Sequence, residues 1–359
     1  MHFKIMRKSV FIAAAAAAVL ALGACTHNEV TTSGEHEFSF TTYAPKALAR
    51  ADASYVGGAT LVKGQNFVVY GYNQKAGDFS ETLAPNFING MPVLYNGGNT
   101  VDNAGLNTYS PKRYWPYDEA NNKLAFYAYY PKENGGEITP NVTAGLGTYN
   151  VKVPADPASQ SDFLVSDLKV DQVYSKTTDK KGVVELLFRH QLAKIIFRVK
   201  TDETDEHSSI TLNSLTIKNV LSEGTLTPSY SAEGGSATAW SGQSAPVDLD
   251  VVSSDALLSS TPVGSSDSTS YFILLPQKLA DNLTADFVFT ISTEGTDPIV
   301  NKASIKLNEL RDADGNLIDE WHKNNFIVYT FSISLGHEIK FAATSIPWDE
   351  EKDVVYPIN

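Results

Sequence analysis

One stretch near the C-terminus alternates apolar and polar residues with the period of two that is typical of a β-strand. Successive side chains of a strand point to opposite faces of its sheet, so residues 326–335 predict one buried face and one wetter face. The expected buried residues are Ile327, Tyr329, Phe331, Ile333 and Leu335. After Gly336, residues 338–341 predict the returning strand of a hairpin. No window of the chain keeps an apolar period of 3.6, so we predict an all-β fold.

Short runs rich in β-branched and aromatic residues recur along the rest of the chain and are separated by turn residues. The run at 123–131 has Leu124, Phe126 and Ala128 on one face, with Tyr127 and Tyr129 on the other. It is therefore predicted to be a central strand, buried on both sides. Residues 231–270 are rich in Ser and Gly. This composition predicts surface loops that carry one strand, at 247–252.

Length and composition limit the classes to which the chain can belong. At 359 residues it exceeds the size of most single cores, so two domains are expected. Polar sequence around 154–182 favours a boundary near residue 181, with β-sandwich domains at 36–181 and 182–348. The net charge of −13 is spread along the chain, which argues against a nucleic-acid partner. The single cysteine, Cys25, excludes a disulfide within the chain.

The N-terminus has the pattern of an export signal. A positively charged start is followed by an apolar run at 10–24, which is too short to span a bilayer comfortably. Leu22, Gly23 and Ala24 precede Cys25 as a lipobox requires, so residues 1–24 are predicted to be a lipoprotein signal and Cys25 the lipidated residue. An ordinary signal peptide cut after Ala24 is the alternative. Residues 25–35 would form a polar tether, and the absence of Asp after Cys25 favours the outer membrane.

The segment after the tether largely alternates apolar and polar residues from His36 to Tyr43, which predicts a half-buried strand that ends before Pro45. An Ala-rich connector with Arg50 follows. Arg50 is either a solvated loop residue or a site of proteolysis, and the residues alone leave both interpretations open.

The sequence lacks the motifs of a catalytic site. None of its seven histidines has a metal-binding spacing, and it contains neither a Gly-x-Ser-x-Gly motif nor a phosphate-binding Gly loop. We therefore expect a protein that is not an enzyme and needs no cofactor. His190 is interpreted as a turn residue or a hydrogen-bonded core residue.

Two further stretches are candidate sites, one for a calcium ion and one for a glycan. Asp312, Asp314 and Asp319 are the best candidate calcium ligands, but they lack the full pattern of a calcium loop, and a tight Asp-Gly turn explains them. Residues 267–269 match a short O-glycosylation pattern.

The aromatic residues of the first half allow a binding interpretation. A sugar platform could be formed by Tyr114, Trp115, Tyr127 and Tyr129. At β spacing, core packing is the other explanation.

The order of several motifs makes the chain resemble a known family. The motifs are the lipobox, FSFTTY before an arginine, RYWP, LAFYAYYP, DFLV, FRHQLAKIIFRV and a late FIVYTFSISL. They resemble the fimbrillin-like lipoproteins of Bacteroidales, the subunits of type V pili. The resemblance implies two tandem transthyretin-like or immunoglobulin-like Greek-key β-sandwich domains at the cell surface.

The resemblance also implies a mode of assembly and its site residues. An arginine-specific protease would cut between Arg50 and Ala51 and so remove the first strand. The C-terminal tail of another subunit, within residues 349–359, would then fill the vacated groove. The displaced side chains would be Phe38, Phe40 and Tyr43, and the donor side chains Val354, Tyr356 and Ile358. The expected partners are other pilin subunits and, through the lipid, the outer membrane. Pro357 and the acidic residues before it depart from an ideal donor strand.

The resemblance assigns neither a position in the pilus nor an adhesive target. A surface lipoprotein that binds glycan or another nutrient is the alternative function.

Overall fold

Strands account for most of the regular structure. The computed structural model describes residues 36–42, 61–97, 107–177, 182–203, 205–265, 270–312, 314–336 and 338–348. In these residues the regular elements are strands and short 3-10 turns, which confirms the predicted all-β class. None of the described residues forms a helix of the length and apolarity needed to cross a membrane.

The strands are numbered in chain order. Those before residue 191 are β1 (Ser39–Thr42), β2 (Asn66–Lys75), β3 (Ile88–Leu94), β4 (Thr108–Tyr109), β5 (Lys123–Tyr130), β6 (Ile138–Asn141), β7 (Thr148–Lys152), β8 (Leu164–Ser166), β9 (Lys169–Gln172), β10 (Val183–Leu186) and β11 (Phe188–His190). Those that follow are β12 (Ala193–Lys200), β13 (Ser208–Ser231), β14 (Gly235–Val252), β15 (Ala256–Leu257), β16 (Val263–Gly264), β17 (Phe272–Leu274), β18 (Gln277–Lys278), β19 (Thr284–Thr293), β20 (Ile299–Lys306), β21 (Glu320–Trp321), β22 (Asn325–Ile333) and β23 (Ile339–Pro347). The 3-10 turns are Pro157–Ser159, Tyr174–Lys176 and Leu307–Glu309.

Strand β5 lies at the centre of the N-terminal sheet, between β2 and β8. One of its faces packs Leu124, Phe126 and Ala128 into a cluster that also holds Phe38 and Phe40. Its other face packs Tyr127 and Tyr129 into the largest cluster of the molecule. The prediction that this strand is buried on both sides is confirmed.

Strand pairing crosses the predicted boundary near residue 181. Strand β10 pairs with β1, and β11 pairs with β8 of the N-terminal sheet. In the other direction, β7 pairs with β13. The largest hydrophobic cluster also takes residues from both sides of the boundary. The division into two tandem domains remains a prediction.

The prediction of surface loops at 231–270 is wrong for residues 235–246, whereas the strand predicted at 247–252 is confirmed as the end of a longer one. These residues form β14, which pairs along β13 from Ser231↔Gly235 to Leu215↔Val252 as a long hairpin with register shifts. Most side chains of β14 are exposed or partly exposed, so the strand needs no apolar face. The strand conformation of β14 is held by its backbone hydrogen bonds to β13. Amino-acid composition gives no sign of such bonds.

The closing hairpin of β22 and β23 is confirmed, with a returning strand longer than expected. The predicted face is buried at Ile327, Tyr329, Phe331 and Ile333. The opposite face is drier than predicted because Phe326 and Val328 form a small cluster with Ile196 of β12, against which Tyr271, Ile346 and Trp348 pack.

Candidate functional site

The first described strand, β1, and the residue before it insert two phenylalanines into the N-terminal core. Its alternation places Phe38 and Phe40 on the same face, and both side chains are 0% exposed. The Phe38 ring lies 5.5 Å from the Phe40 ring and 5.9 Å from the Trp115 ring, measured between centroids. Both phenylalanines also contact the rings of Tyr109 and Phe126, at 5.5–5.7 Å. A β1 groove can thus be defined, with Tyr109, Trp115 and Phe126 as its apolar walls.

The backbone of β1 is bonded on both edges. One edge pairs in parallel with β10, from Ser39↔Val183 to Thr42↔Leu186. The other edge faces the chain at 107–115, through the bridges Glu37↔Tyr114 and Phe40↔Asn107. On that side the Trp115 N–H donates to the carbonyl of His36 at 2.9 Å, and the Phe38 N–H donates to that of Arg113 at 3.3 Å. Both edges of the segment at 36–42 therefore carry backbone contacts, one through a strand ladder and the other through isolated bridges.

Polar side chains at the groove also bond to the chain around β1. The Tyr109 hydroxyl donates to the Phe38 carbonyl. Burial raises the pKa of Tyr109 far above its usual value, so the phenol stays protonated and remains a donor. The Trp115 indole N–H donates to the carbonyl of Gly182, 3.2 Å away. That same carbonyl accepts from the N–H of Ser39, also at 3.2 Å.

Few ladders hold β1 in place. Among the described residues, β1 and β10 form a two-stranded sheet of their own. Removal of β1 would therefore open one edge of β10 and expose the aromatic walls, without breaking another strand ladder. The site can do one thing chemically: it can hold an extended segment by main-chain hydrogen bonds and by pockets for alternate side chains.

Gly182 is the tightest point of the groove. Its φ is +70°, and an added Cβ would lie 2.8 Å from the indole nitrogen of Trp115 and 2.9 Å from the carbonyl oxygen of Glu37. A side chain at this position would push Trp115 and the start of β1 apart, in addition to the cost of a positive φ.

We expect Gly182→Ala to destabilise the protein by about 2–5 kcal/mol, because left-handed backbone strain and overpacking add. Urea denaturation followed by tryptophan fluorescence measures the change. The matched control is Gly235→Ala, whose φ is +69° with no atom within 4 Å of the added Cβ. It should cost about 1–2 kcal/mol, from the backbone alone. Equal losses in the two variants would show that the groove is not crowded at Gly182.

Several predicted site residues lie outside the described residues. They are the lipidation residue Cys25, the displaced Tyr43, the cleavage pair Arg50 and Ala51, the donor residues Val354, Tyr356 and Ile358, and the glycosylation pattern at 267–269. Of the predicted displaced side chains, the structure describes Phe38 and Phe40 and brings them together.

The predicted sugar platform does not form. Trp115 packs beside Phe38, whereas Tyr127 and Tyr129 belong to the cluster on the opposite face of β5. Tyr114 is 37% exposed and belongs to neither cluster. The four aromatic residues thus share no surface, and core packing accounts for the three buried ones.

The carboxylate of Asp312 accepts hydrogen bonds from the backbone of its own turn. Its Oδ1 accepts from the backbone N–H groups of Asn316 at 2.8 Å and Asp314 at 3.0 Å. These hydrogen bonds lower the pKa of the Asp312 carboxyl, and those from Asn316 have the largest effect. In the described ranges no three His, Cys, Asp or Glu side chains, Asp312, Asp314 and Asp319 included, are placed to hold a metal ion. The interpretation as a turn is confirmed.

His190 is a hydrogen-bonded core residue, as interpreted from the sequence. It is 5% exposed, and its Nδ1 lies 2.6 Å from Oδ2 of Asp162. Its ring also stacks on Trp348, with centroids 4.0 Å apart. That contact fixes the last described residue against the N-terminal sheet, and no sequence pattern indicated it.

Sequence reasoning missed Tyr109 and Gly182 as parts of the β1 groove. Tyr109 lies in a run that gave no strand signal, and Gly182 looked like a turn residue at a domain boundary. Trp115 was interpreted either as core packing or as part of a sugar platform, and the structure places it in the core.

The fold and the site together define an all-β protein whose core is completed by a short strand near the start of the chain. The chain belongs to the fimbrillin-like family, whose model matches residues 50–348.

The solved structures of two other proteins resemble this one. A fimbrial protein from Bacteroides vulgatus has a TM-score of 0.61 and 16% identity, over 88% of this chain and 100% of that chain. A protein from Bacteroides uniformis whose proposed role is cell adhesion has a TM-score of 0.49 and 17% identity, over 87% of this chain and 98% of its own. Because the sequence identity is only 16%, the likeness to the Bacteroides vulgatus protein supports the fold alone. No curated protein matches the sequence.

Proposed function

We propose that this chain is a fimbrial subunit that assembles by strand exchange at the β1 groove. Cleavage between Arg50 and Ala51 would release β1 from the rest of the chain. The C-terminal tail of another subunit, residues 349–359, would then occupy the groove. The observation that carries the proposal is the complete burial of Phe38 and Phe40 on a segment that precedes the cleavage site.

The energetics favour replacement of β1 over an open groove. A fully buried phenylalanine side chain contributes about 1.5–3 kcal/mol relative to exposure, so the loss of two would leave an apolar surface of high affinity. The intact chain covers this surface itself and is expected to be a soluble monomer.

The tail has features of a donor strand. Val354, Tyr356 and Ile358 are spaced two apart, as Phe38 and Phe40 are, and can therefore enter pockets on one face of the groove. Main-chain hydrogen bonds to β10 would supply affinity without regard to sequence. Pro357 removes one N–H donor, so we place it where the tail needs no ladder bond.

Export as a lipoprotein completes the proposal. The lipid on Cys25 would hold the uncut subunit on the outer membrane, with residues 26–35 as the tether. Cleavage at Arg50 would separate the subunit from this anchor and open its groove in the same step. Adhesion would be a property of the assembled fimbrium.

N-terminal sequencing of the protein shed into fimbriae tests the proposal. We expect Ala51 as the first residue of the assembled subunit and lipidated Cys25 as that of the cell-bound precursor. In cells that carry Arg50→Ala, the protein should stay at Cys25 and form no multimers that resist sodium dodecyl sulfate. A fimbrium built from chains that still begin at Cys25 would contradict strand exchange.

A further inference from the structure

The backbone hydrogen bonds of the segment at 36–42 divide its residues between two edges. The N–H of Ser39 donates to the carbonyl of Gly182 at 3.2 Å, on the side of β10. The N–H of Phe38 donates to the carbonyl of Arg113 at 3.3 Å, on the opposite side. Because this alternation continues along a strand, the residues whose side chains fill the groove turn their backbone away from β10. The residues between them turn theirs toward β10.

The two edges offer unequal partners. On the side of β10 the ladder is continuous over all four residues of β1. On the other side β1 advances three residues, from Glu37 to Phe40, while its partner runs back seven, from Tyr114 to Asn107. The partner chain therefore leaves the edge between these two bridges. Among the described residues, a strand residue at the level of Ser39 has no bridge on this side.

The direction of a donor strand decides which of its residues face which edge. Val354, Tyr356 and Ile358 share one face, so the backbone of Pro357 points to the edge opposite to theirs. A tail that ran in the direction of β1 would turn Pro357 toward β10. Reversal of the strand about an axis along its groove-facing side chains exchanges the two edges. In the reverse direction Pro357 faces 107–115 instead.

In the direction of β1, the proline would break the ladder. With Tyr356 at the place of Phe40, Pro357 takes the place of Thr41, which is 1% exposed. Proline has no N–H to donate, so a carbonyl of β10 would be left unpaired at this buried place, at the cost of its desolvation. A shift of the register by two residues does not help, because Pro357 would still face β10.

One charge contact favours the direction of β1. Lys112 pairs with Glu37, and a tail in that direction would bring Asp353 to the place of Glu37. The side chains of this ion pair are 51% and 42% exposed, and a pair so exposed contributes little to stability. The buried ladder bond therefore outweighs the ion pair.

We infer that the tail of another subunit enters the β1 groove in the direction opposite to β1, antiparallel to β10. Ile358 takes the place of Phe38 and Tyr356 that of Phe40, so Pro357 lies at the gap between the two bridges. The exchange then replaces a parallel pair of strands with an antiparallel pair, which is slightly more stable per residue. This inference rests on the proposed function and adds the orientation of the partner strand that the groove accepts.

Disulfide mapping between two full-length subunits tests the orientation. The donor chain carries Val355→Cys or Asp353→Cys in its tail, and the recipient chain carries Val183→Cys or Glu185→Cys on β10. Cys25→Ser removes the native thiol from both chains. Each donor is mixed with each recipient, cut with trypsin, left to polymerise and oxidised. Dimers that survive boiling in sodium dodecyl sulfate and disappear with reductant report a disulfide, and each variant oxidised alone is the control.

The inferred register places position 355 of the tail directly opposite position 185. We expect Val355→Cys to crosslink to Glu185→Cys at least about fivefold more than to Val183→Cys, because a disulfide accepts Cα separations of about 4.4–6.8 Å and a diagonal pair is about 7–8 Å apart. Asp353→Cys should crosslink to neither position, since the reversed tail carries it past position 185. Crosslinks from 355 to 183 together with 353 to 185 would also support the reverse direction, with the register moved by two residues.

A crosslink from 355 to 183 without one from 353 to 185 would show a tail in the direction of β1, and so would a crosslink from 353 to 183. Either result would overturn the inferred orientation and leave strand exchange standing. Multimers that form as in the parent without any of the four crosslinks would overturn strand exchange at this groove, and the orientation with it.

Discussion

A disulfide between positions 39 and 183 will keep the protein monomeric after cleavage at Arg50. Ser39 and Val183 are partners in the β1–β10 ladder. Neighbouring strands lie about 4.7–4.9 Å apart, within the Cα separation of about 4.4–6.8 Å that disulfides accept. The double variant Ser39→Cys with Val183→Cys should therefore hold β1 in the groove even when its chain is cut. Because the groove stays filled, no donor tail can enter.

The measurement is the ladder of multimers that resist sodium dodecyl sulfate after limited trypsin treatment, with and without reductant. Cys25, the sole native cysteine, is replaced by serine so that no other disulfide competes. The oxidised double variant should show monomer only, and reduction should restore the ladder of the parent. Each single-cysteine variant should polymerise like the parent. If the oxidised, cut protein polymerises at the parental rate, departure of β1 is not the step that permits assembly.

The features that sequence predicted correctly are those set by neighbouring residues. Alternation along 123–131 placed Phe126 and Tyr127 on opposite faces of β5. Because neither face of this strand is polar, both residues were predicted to be buried. The buried face of β22 was predicted in the same way. Asp312 and Asn316 form their turn within five residues, so its chemistry was also visible in the sequence.

The features that sequence missed depend on distant partners. Strand β1 pairs in parallel with β10, far along the chain, and no local pattern specifies that choice. The predicted loop at 235–246 was wrong because the ladder with β13, not apolar burial, orders β14. Phe326 and Val328 looked like a wetter face, since nothing in their own strand shows that Ile196 and Trp348 lie against them.

The Phe40→Ala variant should lose about 3–5 kcal/mol of unfolding free energy, a large part of the usual 5–15 kcal/mol of a domain. The Phe40 ring is fully buried, with the rings of Tyr109 and Phe126 at 5.7 and 5.5 Å, so its removal leaves a cavity that these rigid neighbours cannot close. Urea denaturation measures the loss. The weakened β1 should also leave the groove more readily, so trypsin-treated Phe40→Ala should polymerise faster than the parent.

Phe341→Ala is the matched control, because it removes the same atoms from a ring on β23 that is 42% exposed. Because the Phe341 ring is already partly exposed, its truncation removes less buried apolar surface. The loss of unfolding free energy should stay below about 1 kcal/mol. A loss in Phe40→Ala no larger than that in Phe341→Ala would mean that the groove does not bury β1 in solution. Faster polymerisation without destabilisation would separate the two effects and point to a weaker ladder with β10, not to a lost ring.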